Sequence, residues 1–241
     1  MKIEIKRYIN EGEVHEDRLS YEVELEGATL LEVLTEIKTK QDSTLSFASG
    51  CRSSVCGSCA VRVNGKEVLA CAYKPKDGDV VEPLKNVPVI RDLVVDMDTA
   101  LNFTKVARAW AGASAEEVAL SPEDVEVNAV QSDCILCGAC YSACPVYEVN
   151  SGFIGPFALT RSWRYVSDKR EGNVADKIEA VQTNGIWDCT LCGECVPVCP
   201  QGIAPKSDID MLRNKSGILG YMDPKFAGGF GGGLDFGAPS F

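Results

Sequence analysis

Apolar side chains recur at every second position through Ile3, Ile5 and on to Ile9, and again through Tyr21, Val23 and Leu25. This alternation predicts two strands joined around the polar Asn10-Glu11-Gly12 turn. The period then changes: Leu30, Val33, Leu34 and Ile37 fall at i, i+3, i+4 and i+7, the stripe of an amphipathic helix that would pack across a sheet. Val61 and Val63, an Asn64-Gly65 turn, and Val68 to Cys71 predict a second hairpin, with Asp77-Gly78-Asp79 and Val80-Val81 closing the sheet. Strand, strand, helix, loop, strand, strand is β-grasp order.

Beyond residue 82 the pattern becomes helical. Pro83 and Pro88 open a stretch that runs to Met97 and reads as a crossing segment. Phe103 to Ala113 predicts a helix with Val106, Ala107 and Trp110 on one face, Trp110 being assigned to core or interdomain packing in preference to a partner anchor. Ser121-Pro122-Glu123-Asp124 starts a short helical turn or linker. Gly155-Pro156 opens a helix bearing Leu159, Trp163 and Val166; a second contains Lys177, Ile178 and Val181 and ends at Asn184-Gly185; a third follows Pro205 with Ile209 and Leu212. Residues 226–241 interleave glycines with phenylalanines and cannot build a core, so they form either a disordered end or an arm whose phenylalanines dock on a partner. The reading is an α+β chain: a β-grasp domain with its exit segment (1–98), a helical connector (99–130), an all-helical domain (131–214) and a Gly/Phe-rich tail (215–241).

Cysteine turns this outline into chemistry, because all 12 fall into three tight groups with none left over. In the first, Cys51, Cys56 and Cys59 lie in the loop after the predicted helix and Cys71 follows on the next strand, the C-x4-C-x2-C…C spacing of a plant-type [2Fe–2S] cluster. Gly50 and Gly57 let that loop curl close to the sulfurs and aim N–H groups at them. Cys134, Cys137, Cys140 and Cys144 form one C-x2-C-x2-C-x3-C-P box, and Cys189, Cys192, Cys195 and Cys199 form another. In this bacterial-ferredoxin run, three thiolates wrap one cube and the fourth reaches the other, so the two boxes hold two clusters between them. Zinc ribbons separate two C-x2-C pairs instead of packing four cysteines into 11 positions (134 to 144). Gly138 and Gly193 keep the loops uncrowded, and Pro145 and Pro200 turn the chain away.

Charge and hydropathy narrow the partners. A net charge of −11 argues against nucleic acid. No apolar run approaches the roughly 18 residues that would span a bilayer, and the first residues do not form a signal-peptide core. The single histidine, His15, reads as a solvated turn residue, and no acid–base or nucleophile constellation stands out, so no catalytic residue is assigned.

A plant-type [2Fe–2S] domain followed by a helical domain with two interlocked boxes resembles the iron–sulfur subunit of succinate dehydrogenase and fumarate reductase. Residues 89–97 and Phe153-Ile154-Gly155-Pro156 look like family segments in the same relative places. The resemblance covers about 1–214 and implies a wire rather than a catalyst. A separate FAD subunit would interconvert succinate and fumarate and face the [2Fe–2S] domain; the helical domain would face a quinone-linked, membrane-side subunit. Iron–sulfur thiolates without an export signal point to a reducing compartment, so the expected location is cytoplasmic, peripheral at the inner face of the cell membrane through partners.

Two departures from the usual members stand out. Where they lack the second cysteine of the second box and hold [3Fe–4S], this chain has Cys192. The expectation is therefore a second [4Fe–4S] cluster on Cys144, Cys189, Cys192 and Cys195, with a first on Cys134, Cys137, Cys140 and Cys199; a [3Fe–4S] cluster beside a spare Cys192 thiol is the alternative. The usual quinone-pocket Trp and His are replaced by Glu148 and Thr190. That combination looks more like variants whose membrane-side partner is a cysteine-rich, heterodisulfide-reductase-like subunit. The rival functions are the iron–sulfur subunit of another flavin dehydrogenase, thiol-linked fumarate reductase or glycolate-oxidase-like, and a free ferredoxin-type carrier.

Overall fold

The computed structural model describes residues 1–10, 14–112 and 117–227, with the side chains of residues 9, 10, 14–17 and 227 excepted. The predicted turn at Asn10-Glu11-Gly12 therefore lies mostly outside the described residues, as do the glycines and phenylalanines from 228 onward.

The alternating N-terminal positions form β1 (Lys2–Asn10), which pairs antiparallel with β2 (Val14–Glu22). His15 sits within β2, its backbone opposite Ile9, and not in the turn. Helix α1 (Leu30–Lys40) starts at a capping box in which the Thr29 hydroxyl accepts from Glu32 N–H at 3.3 Å and Glu32 Oε2 accepts from Thr29 N–H at 2.6 Å. Its stripe of Leu30, Val33, Leu34 and Ile37 is wholly buried. Each such side chain contributes about 1.5–3 kcal/mol by leaving water. Strands β3 (Ala60–Val63) and β4 (Lys66–Leu69) turn through Asn64 and Gly65, both at positive φ. With β5 (Asp79–Glu82), the sheet order is β2-β1-β5-β3-β4, β1 and β5 running parallel in the middle. This is the expected β-grasp sheet.

The exit segment is not a plain crossing. Val89–Arg91 (β6) and Val94–Val95 (β7) form a small hairpin around Asp92, whose φ is 48°. The connector also differs from the pattern's reading: α2 spans Asp98–Val106, five residues earlier than predicted. Asp96 Oδ1 accepts from Asp98 N–H at 2.8 Å and starts it, and Arg108 at φ 48° stops it. The face that packs is Ala100, Phe103 and Ala107, leaving Val106 and Trp110 half-exposed. Trp110 is held from one side by the Lys177 ammonium 5.7 Å from its ring centre.

The second half is helical: α3 (Pro122–Glu126), α4 (Ala129–Ser132), α5 (Ala139–Ser142), α6 (Pro145–Val149), α7 (Pro156–Val166), α8 (Val174–Ala180), α9 (Pro205–Ile218) and α10 (Pro224–Ala227). α8 stops short of Asn184-Gly185, because Ile186 N–H bonds back to Val181 C=O at 3.0 Å and closes a separate turn. α9 runs past residue 214, and α10 lies inside the stretch read as tail. One apolar core joins α1 to the sheet, and a second gathers Phe153, Phe157, Leu159, Ile178 and Leu212. The halves are tied through Asn86, whose side-chain amide donates to the carbonyls of Tyr141, Ser142 and Cys144 at 3.1, 3.0 and 3.2 Å.

Candidate electron-transfer site

The loop between α1 and β3 folds around its own sulfurs. Cys51 Sγ accepts N–H groups from Ser53, Val55 and Cys56, each at 3.3 Å, Cys56 Sγ accepts from Cys51 N–H at 3.3 Å, and Cys71 Sγ accepts from Ser54 N–H at 3.3 Å. Such convergence needs left-handed backbone at Arg52 and Ser54, and at Gly57. Gly50 is required for close approach, since a Cβ there would stand 2.8 Å from Cys56 Sγ. Two serines that sequence reasoning passed over matter as donors. The Ser58 hydroxyl is the main cause that holds the Cys56 thiol down at about 6. At Cys71 burial pushes upward, but hydrogen bonds led by the Ser54 hydroxyl leave the thiol below its ordinary value. Cys59 is buried and pushed up to about 11.

The two four-cysteine boxes repeat one backbone device. Leu136 and Leu191 occupy the same place in each box with φ of 54° and 55°, and Gly138 and Gly193 follow at 80° and 89°. The left-handed leucine turns its own N–H toward the first sulfur of its box; Leu191 N–H lies 3.4 Å from Cys189 Sγ. No sequence signal marked those leucines. Only comparison of the two boxes, position by position, would have found them.

Between the boxes the cysteines change partners. Cys134, Cys137, Cys140 and Cys199 line one cavity, floored by Phe157 and Thr160. Burial, followed by the mutual repulsion of these sulfurs, raises Cys137 to about 11 and Cys140 well above the thiol range. Cys144 lies among the sulfurs of the other box: burial first, then Cys189 and Cys192, raise its thiol, while burial and then Cys189, Cys144 and Cys192 push Cys195 up to about 12. Thiols held so high in an apolar setting stay protonated unless positive charge replaces the protons, which is the chemistry of iron binding. Among the described residues no three His, Cys, Asp or Glu side chains converge to hold a single metal ion. The sulfur groups, with inward N–H donors and crowded glycines, fit iron–sulfur clusters. Arg213 braces the second box, donating to the carbonyls of Ile186 and Cys189 at 2.9 and 2.5 Å.

Glu148 and Thr190, the residues noted above as departures, both lie at the surface. Glu148 pairs with Lys85 at 2.6 Å, and Thr190 is exposed.

Comparison with known proteins agrees with this geometry. A 2Fe-2S iron-sulfur cluster binding domain matches residues 2–102, and a 4Fe-4S dicluster domain matches 130–203. The fumarate reductase iron-sulfur subunit of Mycobacterium tuberculosis is 38% identical over 88% of this chain and 90% of its own length. The 8-methylmenaquinol:fumarate reductase iron-sulfur subunit of Wolinella succinogenes is 37% identical over 86% of this chain and 70% of its own length. In fold, a chain of the Mycobacterium smegmatis Sdh1 complex in the apo form superposes with a TM-score of 0.74 at 23% identity, covering 92% of this chain and 97% of that one. The chain belongs to the family of electron-transferring iron–sulfur subunits of succinate dehydrogenases and fumarate reductases.

Proposed function

We propose that this chain relays electrons through three clusters: [2Fe–2S] on Cys51, Cys56, Cys59 and Cys71, a first [4Fe–4S] on Cys134, Cys137, Cys140 and Cys199, and a second [4Fe–4S] on Cys144, Cys189, Cys192 and Cys195. The observation that carries this reading is the exchange of fourth cysteines, Cys199 standing in the first group and Cys144 in the second. When bound, such clusters take up and release single electrons. The protein's own part is to hold the sulfurs, screen them with Phe157 and the apolar core, and supply N–H donors that favour the more negative reduced state.

An FAD-containing subunit acting on succinate or fumarate would dock at the [2Fe–2S] loop, whose Cys51 and Cys56 are exposed. The second box would face a quinone-linked subunit on the membrane side, and the quinol named for the Wolinella relative supports that linkage. Attachment would be peripheral, at the cytoplasmic face, through partners. Among the described residues no helix is long and apolar enough to cross a membrane. At the positions of the family's quinone-pocket Trp and His this chain carries Glu148, paired with Lys85, and Thr190, a substitution pattern that favours a cysteine-rich, heterodisulfide-reductase-like partner.

Anaerobic purification of the intact complex, with identification of its subunits, tests the partners; recovery of a conventional multi-span haem anchor would refute the cysteine-rich assignment. Electron paramagnetic resonance of the air-oxidised complex tests the third cluster. No full-spin [3Fe–4S] signal is expected from the natural protein, and Cys192→Ser should create one. Its presence without the substitution sinks the second [4Fe–4S] assignment.

A further inference from the structure

The two halves also meet at their cysteine loops. Gly57 lies between Cys56 and Cys59, and a Cβ on it would stand 2.7 Å from Cys137 Cβ, 2.9 Å from Ile135 C=O and 3.0 Å from Cys137 Cα. Two of those three atoms are backbone, which cannot swing aside. Ile135 and Cys137 in turn pack against the core of the sheet half. A second contact comes from beyond the other box, where Gln201 Nε2 donates to Ser54 C=O at 3.0 Å. The loop is thus seated on the first box at Gly57 and tethered at Ser54 to the residue two places after Cys199.

We propose that Gly57 and Gln201 are positioning residues for electron transfer between the sheet half and the helical half. The missing side chain at 57 lets the loop rest directly on Cys137, and the Gln201 amide keeps it there. Together they would fix the gap that a single electron crosses, in either direction, between a cluster held by Cys56 and Cys59 and one held by Cys137. This inference rests on the ligand assignment above, which the cluster spectra of the natural complex test separately.

Gly57→Ala imposes two burdens, left-handed backbone at φ +73° and the clash with Cys137. Gly78→Ala imposes only the first, because Gly78 has φ +81° and nothing within 4 Å of its added Cβ. The two variants therefore separate local strain from loop separation. In the assembled complex, iron and sulfide content, freeze-quench reduction of the first [4Fe–4S] signal, and relaxation enhancement of the [2Fe–2S] signal by its reduced neighbour are measured. Gly78→Ala should match the natural protein in all three. Gly57→Ala should keep its iron, show weaker relaxation enhancement and pass electrons several-fold more slowly. Gln201→Leu, which leaves Gly57 in place, should weaken the enhancement in the same direction. If Gly57→Ala behaves as Gly78→Ala, the seat is overturned. If Gly57→Ala fails to assemble, unchanged enhancement in Gln201→Leu overturns it. Natural complex that lacks the [2Fe–2S] or [4Fe–4S] signals would overturn the ligand assignment itself, and the seat with it.

Discussion

Two buried charged residues show how single side chains set the stability of this wire's mounting. Alternation places Arg7 on the inward face of β1 with Ile3 and Ile5, and it is only 1% exposed. It survives there because its guanidinium donates to Asp92 at 2.8 and 3.2 Å, to Tyr21 Oη at 2.9 Å, to Thr44 Oγ1 at 3.0 Å and to Asp42. Asp92, itself fully buried, also accepts from Ser46 N–H at 2.8 Å, so one cluster of bonds ties β1, the loop after α1 and the exit hairpin. Arg7→Met would strip buried Asp92 of its hydrogen-bonded cation, leaving it the Ser46 and Tyr8 N–H groups and Arg91 at 3.9 Å, a loss of about 3 kcal/mol. Chemical denaturation of the variant should show it, and a loss under 1 kcal/mol would mean the network is ornamental. Asp208 carries the opposite lesson. Burial lifts its carboxyl from 3.8 to about 6, against hydrogen bonds from Gln131 Nε2 and Thr160 Oγ1, both at 2.8 Å. A folded-state value above the unfolded one means that the folded state is favoured most below about pH 4 and loses stability as pH rises to about 6. Two pKa units correspond to about 3 kcal/mol. Asp208→Asn should therefore raise the melting temperature at pH 7.5, with the advantage shrinking as pH falls through 6. A pH-independent difference would contradict this.

Elements depend on where backbone and ring leave no room. Gly155, φ +87°, opens α7 directly beneath Tyr141, and a Cβ there would run into the Tyr141 ring. That ring is fully buried, donates its hydroxyl to Ile154 C=O and meets Tyr147 and Phe157 at centroid distances of 4.8 and 4.5 Å. Gly155→Ala adds backbone strain of about 1–2 kcal/mol to overpacking of about 1–3 kcal/mol. Gly220→Ala, at the same φ with open space around it, should lose only the first part, and thermal unfolding of the pair would expose the difference. Periodicity made α1, the β3–β4 hairpin and α7 readable, because the apolar positions of each face a core, wholly buried in α1 and half-buried at Val68 and Trp163 in the other two. It misplaced α2, whose packed side is buried Ala100 and half-buried Phe103, followed by buried Ala107 just past its end, while Val106 and Trp110 are half-exposed. It passed over β6 and β7, which exist because Asp92 is pulled inward to Arg7, a partner 85 positions away. Cysteine spacing made the sulfur groups legible. The left-handed leucines and the rest of Gly57 on Cys137 were not, since they follow from how two distant loops fit.

At the scale of the whole molecule, the two halves are unequally self-sufficient. The sheet half has a core of Ile3, Ile5, Leu30, Leu34, Ile37 and Val81 that contains one cysteine, Cys59. The helical half counts Cys140, Cys144 and Cys195 among its core residues, and its boxes, 55 positions apart (134 to 189), exchange their fourth cysteines. Clusters bound across those boxes would each close a long loop, and their removal would return that loop's entropy to the chain while leaving buried thiols to repel if ionised. Stripping iron with a chelator should therefore open the helical half first. Hydrogen exchange in α7 and α9 should accelerate well over tenfold, each factor of ten being about 1.4 kcal/mol of opening free energy, while β1, β5 and α1 hold their protection. Uniform loss of protection across both halves would mean that one cooperative unit spans the chain, and that the Asn86 and Gly57 contacts bind the halves more strongly than the clusters bind the boxes.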